Sequence, residues 1–231
     1  MTVPQLPALS YGPGPVLRLP SAPEPFEVPS PLVGGVEASG PPPWLQDQLM
    51  ARRIALLSGT LDHDAVNRVA LALMTLDANG DESVQLQIDS DDGTTSAAHA
   101  LIDVVDLLGV PVYATCIGRI AGPALGVFAV CQHRTMSPHA TLRLIEPPVE
   151  VHGNARQLEQ LVSAHSGSWE AFCRRLSEIT GQAIDRIQDD AARGRFFSAA
   201  EAIDYGLVDE VATPDARMYR LPGRPMGYRA R

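Results

Sequence analysis

Cys116-Ile117-Gly118-Arg119-Ile120-Ala121-Gly122-Pro123-Ala124-Leu125-Gly126-Val127-Phe128 is the stretch that decides the fold. The apolar run over 110–117 reads as a buried strand that stops at the glycines, and the small residues from Gly122 onward read as a helix over 122–131. In hydrolases, a strand, a sharp turn and a helix in this order present a nucleophile with an oxyanion-binding N–H beside it. Here the turn carries Gly122, which has no side chain to attack with, followed by Pro123, which has no N–H to donate. The stretch reads as the scaffold of a catalytic site without its chemistry.

Upstream of this turn, 45–53 patterns as a short amphipathic helix and 54–57 as a short buried strand closed by Ser58-Gly59. Asp62 is placed to cap a helix whose apolar positions Val66, Val69, Leu71, Ala72, Leu73 and Leu76 make a buried face. Residues 77–81 form a turn and 84–88 alternate as a half-buried strand. The acidic loop Asp89-Ser90-Asp91-Asp92-Gly93 leads into a helix over 94–108. Downstream, 134–136 and 141–145 supply short strands. A long amphipathic helix over 154–179 carries Leu158, Leu161, Val162, Trp169, Phe172 and Leu176 on its apolar stripe, and a last helix over 198–205 ends at Gly206. Strands alternating with helices through right-handed crossovers define an α/β domain.

The chain's 231 residues, 45% hydrophobic, are enough for one sizeable core, placed at 44–212. Before it, residues 1–43 hold twelve of the twenty prolines and read as a disordered extension, with a docking arm as the sharper alternative. After it, 213–231 form an arginine-bearing tail. A net charge of −9 argues against nucleic-acid binding. The run over 107–130 is interrupted by Pro111, Arg119 and Pro123 and is not a membrane span. Three scattered cysteines without C-x-x-C spacing, and an N-terminus lacking a basic segment followed by an apolar one, lead to the expectation of a cytoplasmic protein with reduced, buried thiols.

Several stretches together resemble the Clp protease proteolytic subunit (ClpP), a serine peptidase of family S14 that forms stacked seven-membered rings. Arg53-Ile54-Ala55-Leu56-Leu57-Ser58-Gly59 is similar to that family's first core strand. Ile88-Asp89-Ser90-Asp91-Asp92-Gly93-Thr94 sits where the family has I-N-S-P-G-G-S, and Thr180-Gly181-Gln182 follows the "handle" helix. Arg193-Gly194-Arg195-Phe196-Phe197-Ser198-Ala199-Ala200-Glu201-Ala202-Ile203-Asp204-Tyr205-Gly206-Leu207-Val208-Asp209 is close to its C-terminal signature. The match covers about 45–211 with one small gap near 131–136. It implies an α/β ClpP/crotonase-like fold with repeated β-α units and a long handle helix, in an oligomeric ring that takes part in protein quality control.

Carried over residue by residue, the resemblance puts the family's serine on Gly122, its histidine on Ile145 and its aspartate on Gly194. None of these can attack, shuttle a proton or orient an imidazole. The two oxyanion donors fall on Pro123 and Asp92 and are counted as lost, with Asp91 and Asp92 adding negative charge where an anionic intermediate would form. The expectation is therefore a pseudoprotease. Its partners would be copies of itself or ClpP paralogues in a ring, with an AAA+ unfoldase as a further candidate. No catalytic residue would be intact, and neither a cofactor nor a metal is expected.

Other chemistry stays open. Asp89, Asp91 and Asp92 lack the remaining oxygen ligands of a calcium loop and read as carboxylates at a helix N-terminus. The six histidines show no zinc spacing. His139, with Ser90, Thr94, Thr95 and Ser96 on the facing loop, offers the parts of a rebuilt hydroxyl–histidine pair. Glu146 adjoins the vacated histidine position and offers a base, as in a crotonase-like enzyme acting on acyl-CoA thioesters. The remaining alternative is an independent homo-oligomeric scaffold or binding protein.

Overall fold

The structure, a computed structural model, describes residues 43–149 and 152–213. The readings made for 1–42 and 214–231 lie outside the described residues. Seven strands are described: β1 (Ile54–Ser58), β2 (Val84–Ser90), β3 (Val112–Ala121), β4 (His133–Met136), β5 (Thr141–Leu144), β6 (Arg195–Phe197) and β7 (Glu210–Val211). The helices are α1 (Pro43–Ala51), α2 (His63–Ala78), α3 (Thr95–Leu107), α4 (Pro123–Val130), α5 (Ala155–Thr180), α6 (Ile184–Ala192) and α7 (Ala199–Tyr205).

The strands form one mostly parallel sheet in the order β1-β2-β3-β4-β7. β5 lies parallel to the far end of β3, and β6 runs antiparallel to β5. In β2, Val84, Leu86, Ile88 and Ser90 are buried while Gln85 and Gln87 are half-buried, so one face of the strand packs on the helices and the other stays partly open. This is the α/β architecture the alternating pattern implied.

β3 departs from the sequence reading in an informative way. It does not end at Ile117 but runs on to Ala121. Its pairing with β2 shifts between Ile88↔Cys116 and Ser90↔Ile120, so residues 117–119 bulge outward. The Asp89 carboxylate fills the gap and accepts the Arg119 N–H at 2.8 Å. A Cβ at Gly118 would stand 2.7 Å from Asp89 Cγ, so that glycine admits a carboxylate rather than stopping a strand. Beyond the bulge β3 changes neighbour: 113–116 pair with β4, 119–121 with β5.

The helix boundaries follow from local chemistry. Asp62 caps α2 by accepting the Ala65 N–H at 2.8 Å, and Thr94 caps α3 through Ala97. Asn154 with Gln157, and Ser198 with Glu201, form capping boxes at the starts of α5 and α7. Such caps contribute about 1 kcal/mol each. Gly181 and Gly206 close the same two helices in left-handed conformations.

Three expectations need correction. Leu71, placed on the buried face of α2, is 68% exposed: at about 100° per residue it falls on the side of the helix opposite Val66, Val69, Leu73 and Leu76. In α5 only Trp169, Phe172, Cys173 and Leu176 are buried. Leu161 and Val162 are exposed, because the first half of this helix, about 39 Å long in all, reaches beyond the core that the second half packs on. The helix α6, whose Ile187, Asp190 and Ala191 are buried, was not anticipated.

Candidate functional site

The turn between β3 and α4 is built around Gly122 at φ 53° and ψ −127°, in the left-handed half of backbone space where a side chain is strained. Gly122 and Pro123 are the N-cap and first residue of α4, which starts one residue inside the helix read over 122–131, since proline's fixed φ and missing N–H suit a first helical turn. The α4 helix is apolar all round and buried from Pro123 to Ala129, so the turn is held rigidly. The Gly122 N–H donates to the Arg143 carbonyl at 3.1 Å, which fixes the turn to β5.

The structure brings Gly122 and Ile145 together. A Cβ placed on Gly122 would lie 3.7 Å from Ile145 Cγ2 and 3.5 Å from its carbonyl oxygen. Gly194, buried at φ 62° just before β6, lies against the next outward residue of β5: a Cβ there would be 2.9 Å from Arg143 Nη2. Ile145 and Arg143 stand on one side of the β5 chain by the two-residue period, while Leu142 and Leu144 point into the core. Gly122 thus lies against Ile145, and Gly194 against the side chain of Arg143, two residues earlier on the same side of the β5 chain.

The acidic loop is occupied with its own structure. Asp89 serves the β3 bulge, Asp91 Oδ2 pairs with Arg119 Nη2 at 2.8 Å, and Asp92 Oδ1 accepts the Gly93 N–H at 2.7 Å. Asp92 keeps a backbone N–H of its own, as any residue but proline does, so the donor atom at that position persists and the change there is the added carboxylate. The loop is tied to the end of β1 through Leu61, whose N–H donates to the Asp92 carbonyl at 2.9 Å. Among the described residues no three histidine, cysteine or acidic side chains gather as a metal site requires.

The hydroxyls of the facing loop do not meet His139. Ser90 Oγ reaches the Asp92 carbonyl at 3.4 Å, Thr94 caps α3, and Ser96 lies 3.2 Å from Thr94. Thr95 is 5% exposed and its hydroxyl has no partner among the described residues. His139 sits exposed in the β4–β5 turn. Among the described residues, a hydroxyl–histidine contact forms elsewhere, Ser168 Oγ to His99 Nδ1 at 3.3 Å, between α5 and α3. Glu146 is engaged by His165 of α5 at 3.4 Å.

The thiols are not nucleophiles in waiting. Burial pushes Cys116, Cys131 and Cys173 up to about 12, so the thiolate is negligible at neutral pH. What sequence reasoning missed is Arg143. Its alternation with buried Leu142 and Leu144 was the available signal, but its neighbours Gly194 and Phe196 are some fifty residues away in the chain and pair with it only through β6.

A mostly parallel sheet with a buried strand–turn–helix elbow and a long projecting helix defines the class of protein to which this chain is similar. The profile of the Clp protease family matches residues 44–215, well over half the chain. The chain belongs to the Clp protease family. Among the described residues no helix is long and apolar enough to cross a membrane.

Proposed function

We propose that this chain is a proteolytically inactive Clp-family subunit that assembles into, or regulates, an ATP-dependent Clp protease complex. The observation that carries this reading is the elbow itself: a Gly122–Pro123 turn with no nucleophile, facing Ile145 rather than a base, with Gly194 covered by a cation. A peptidase of this kind needs nucleophile, base and orienting acid together, and a missing oxyanion donor alone costs roughly two to three orders of magnitude. The fold around the elbow is meanwhile kept in full, with tight caps on α5 and α7. A scaffold maintained without chemistry fits an architectural role. In this reading the ring partners are further copies or catalytically competent paralogues, and an AAA+ unfoldase is a candidate for docking on the assembled ring.

The test is native mass spectrometry of this protein co-expressed with a competent Clp proteolytic subunit. Mixed rings, or mixed double rings, are the expected result. Homo-oligomers or monomers that ignore the paralogue would assign the chain to an independent scaffold. Fluorophosphonate-sensitive hydrolysis of fluorogenic peptides by the purified protein would refute the inactivity. Glu146 carries no comparable second reading, since His165 engages its carboxylate and Pro123 supplies no donor beside it.

A further inference from the structure

Among the described residues, Arg143 is a half-buried arginine that neither pairs with a carboxylate nor spends its fork on backbone carbonyls as Arg53 does, whose side chain donates to Ser83, Gly80 and Glu82. Arg52, Arg68 and Arg156, also without a carboxylate among these residues, are exposed. Arg119, Arg134, Arg175, Arg186 and Arg195 each lie within 4.0 Å of a carboxylate. Arg143 has no carboxylate partner among the described residues. Its Nε donates to the Gly194 carbonyl at 3.3 Å, and its Cζ lies 4.7 Å from the centre of the Phe196 ring. A guanidinium has five N–H donors in a planar fork, and one hydrogen bond leaves most of that fork unused. The side chain is half-buried and its remaining N–H groups face solvent, free to meet an anion that displaces that water.

The surroundings give this cation room and walls. Gly194 presents no side chain against the guanidinium, Ile145 stands two residues on along the same side of β5 with the bare Gly122 beside it, and Phe196, directly opposite Arg143 in the β5–β6 register, is 62% exposed. A planar bidentate cation beside an exposed aromatic ring and an isoleucine matches a carboxylate that carries an apolar group.

We propose that this cradle binds a peptide carboxylate, with the carboxylate on the Arg143 fork and the adjoining apolar side chain against Phe196 and Ile145. The proposal rests on the reading of the site as non-cleaving and adds its ligand class. The emptied elbow is then a carboxylate-recognition site that holds a chain end or an acidic residue without cutting it.

The experiment is fluorescence polarisation with the full chain and short dye-labelled leucine-rich peptides. One carries a free C-terminus, one is C-terminally amidated, and one is amidated with an internal glutamate. The free acid is expected to bind roughly tenfold or more tightly than the plain amide, a preference that added salt weakens. The glutamate peptide reports whether a side-chain carboxylate serves equally well. Arg143→Gln is expected to erase the preference. Gly194→Asp should do the same independently by placing a carboxylate against the guanidinium, at a positive φ that aspartate tolerates better than most residues. Equal binding of acid and amide, or a preference that survives in either folded variant, overturns the proposal. Peptide hydrolysis followed on the same samples by mass spectrometry would instead count against the non-cleaving reading, so the two failures are distinguishable.

Discussion

The ring of Phe172, on α5, fills the space that a side chain on Gly126 of α4 would take. A Cβ at Gly126 would lie 2.9 Å from Cζ and 3.1 Å from Cδ2, and would overlap Cε2. Phe172 also stacks on Trp169, with ring centres 5.1 Å apart and planes at 16°. The long helix is therefore docked by an aromatic pair pressed onto the backbone of the helix that starts at the elbow. Gly126→Ala should destabilise the domain by about 1–3 kcal/mol through overpacking, despite alanine's better helix propensity. Adding Phe172→Leu should cost less in that background than in the parent, a coupling readable in a urea double-mutant cycle. A neutral or stabilising Gly126→Ala would show that the helices do not meet this way.

Restoring the serine alone should restore nothing. Space exists for a Cβ at Gly122, with its nearest neighbours at 3.5 and 3.7 Å, but the φ of 53° penalises any side chain there. We expect Gly122→Ser to lose about 1–2 kcal/mol and to show no hydrolysis of fluorogenic peptides. The new hydroxyl faces Ile145, and Pro123 still lacks an N–H. Serine-dependent turnover by this variant would sink the account of the elbow.

How much of this was legible in the sequence depends on the range of the contacts. The Gly122–Pro123 helix start and the caps at Asp62, Thr94, Asn154 and Ser198 are local, and residue type alone places them or comes within a residue or two. Gly118 was misread because a glycine after an apolar run looks like a strand end, whereas its role is set by Asp89 on a neighbouring strand. Leu161 and Val162 fit the apolar stripe of α5 yet have no described core to cover them, and periodicity does not reveal where a core ends. Likewise, nothing in the sequence near Arg143 announces Gly194 or Phe196. That cluster exists only once β5 and β6 pair.

The three thiols offer a direct check on the packing around the elbow. Cys116 ends the regular part of β3, Cys131 follows α4, and Cys173 lies beside Phe172; all are buried, with ionisation pushed up to about 12 by desolvation. At pH 8 the folded protein should react with almost none of an added disulfide reagent, and three equivalents should react after denaturation. Rapid labelling of one thiol in the folded state would locate an opening in the core next to that residue.

The last strand is held by charge, and its stability should follow pH accordingly. Asp209 receives Arg134 Nη2 at 2.6 Å on one oxygen, and Arg134 Nε at 3.0 Å and the Arg134 backbone N–H at 2.8 Å on the other. Hydrogen bonds from the Arg134 side chain hold its carboxyl below the usual carboxylate range, with its backbone N–H, its charge and that of His133 adding to the effect. A carboxyl with a depressed folded-state value stabilises the fold above its unfolded value, near pH 4, and loses that contribution as pH falls through the folded value. The side chain is 34% exposed, so solvent screening reduces the gain. We expect Asp209→Asn to cost about 1–2 kcal/mol at pH 7, partly because Arg134, only 12% exposed, is left without its counter-charge. The difference between parent and variant should shrink towards zero as pH falls below about 4 in urea titrations. A difference that stays constant over that range would mean that Asp209 acts through packing rather than through its charge.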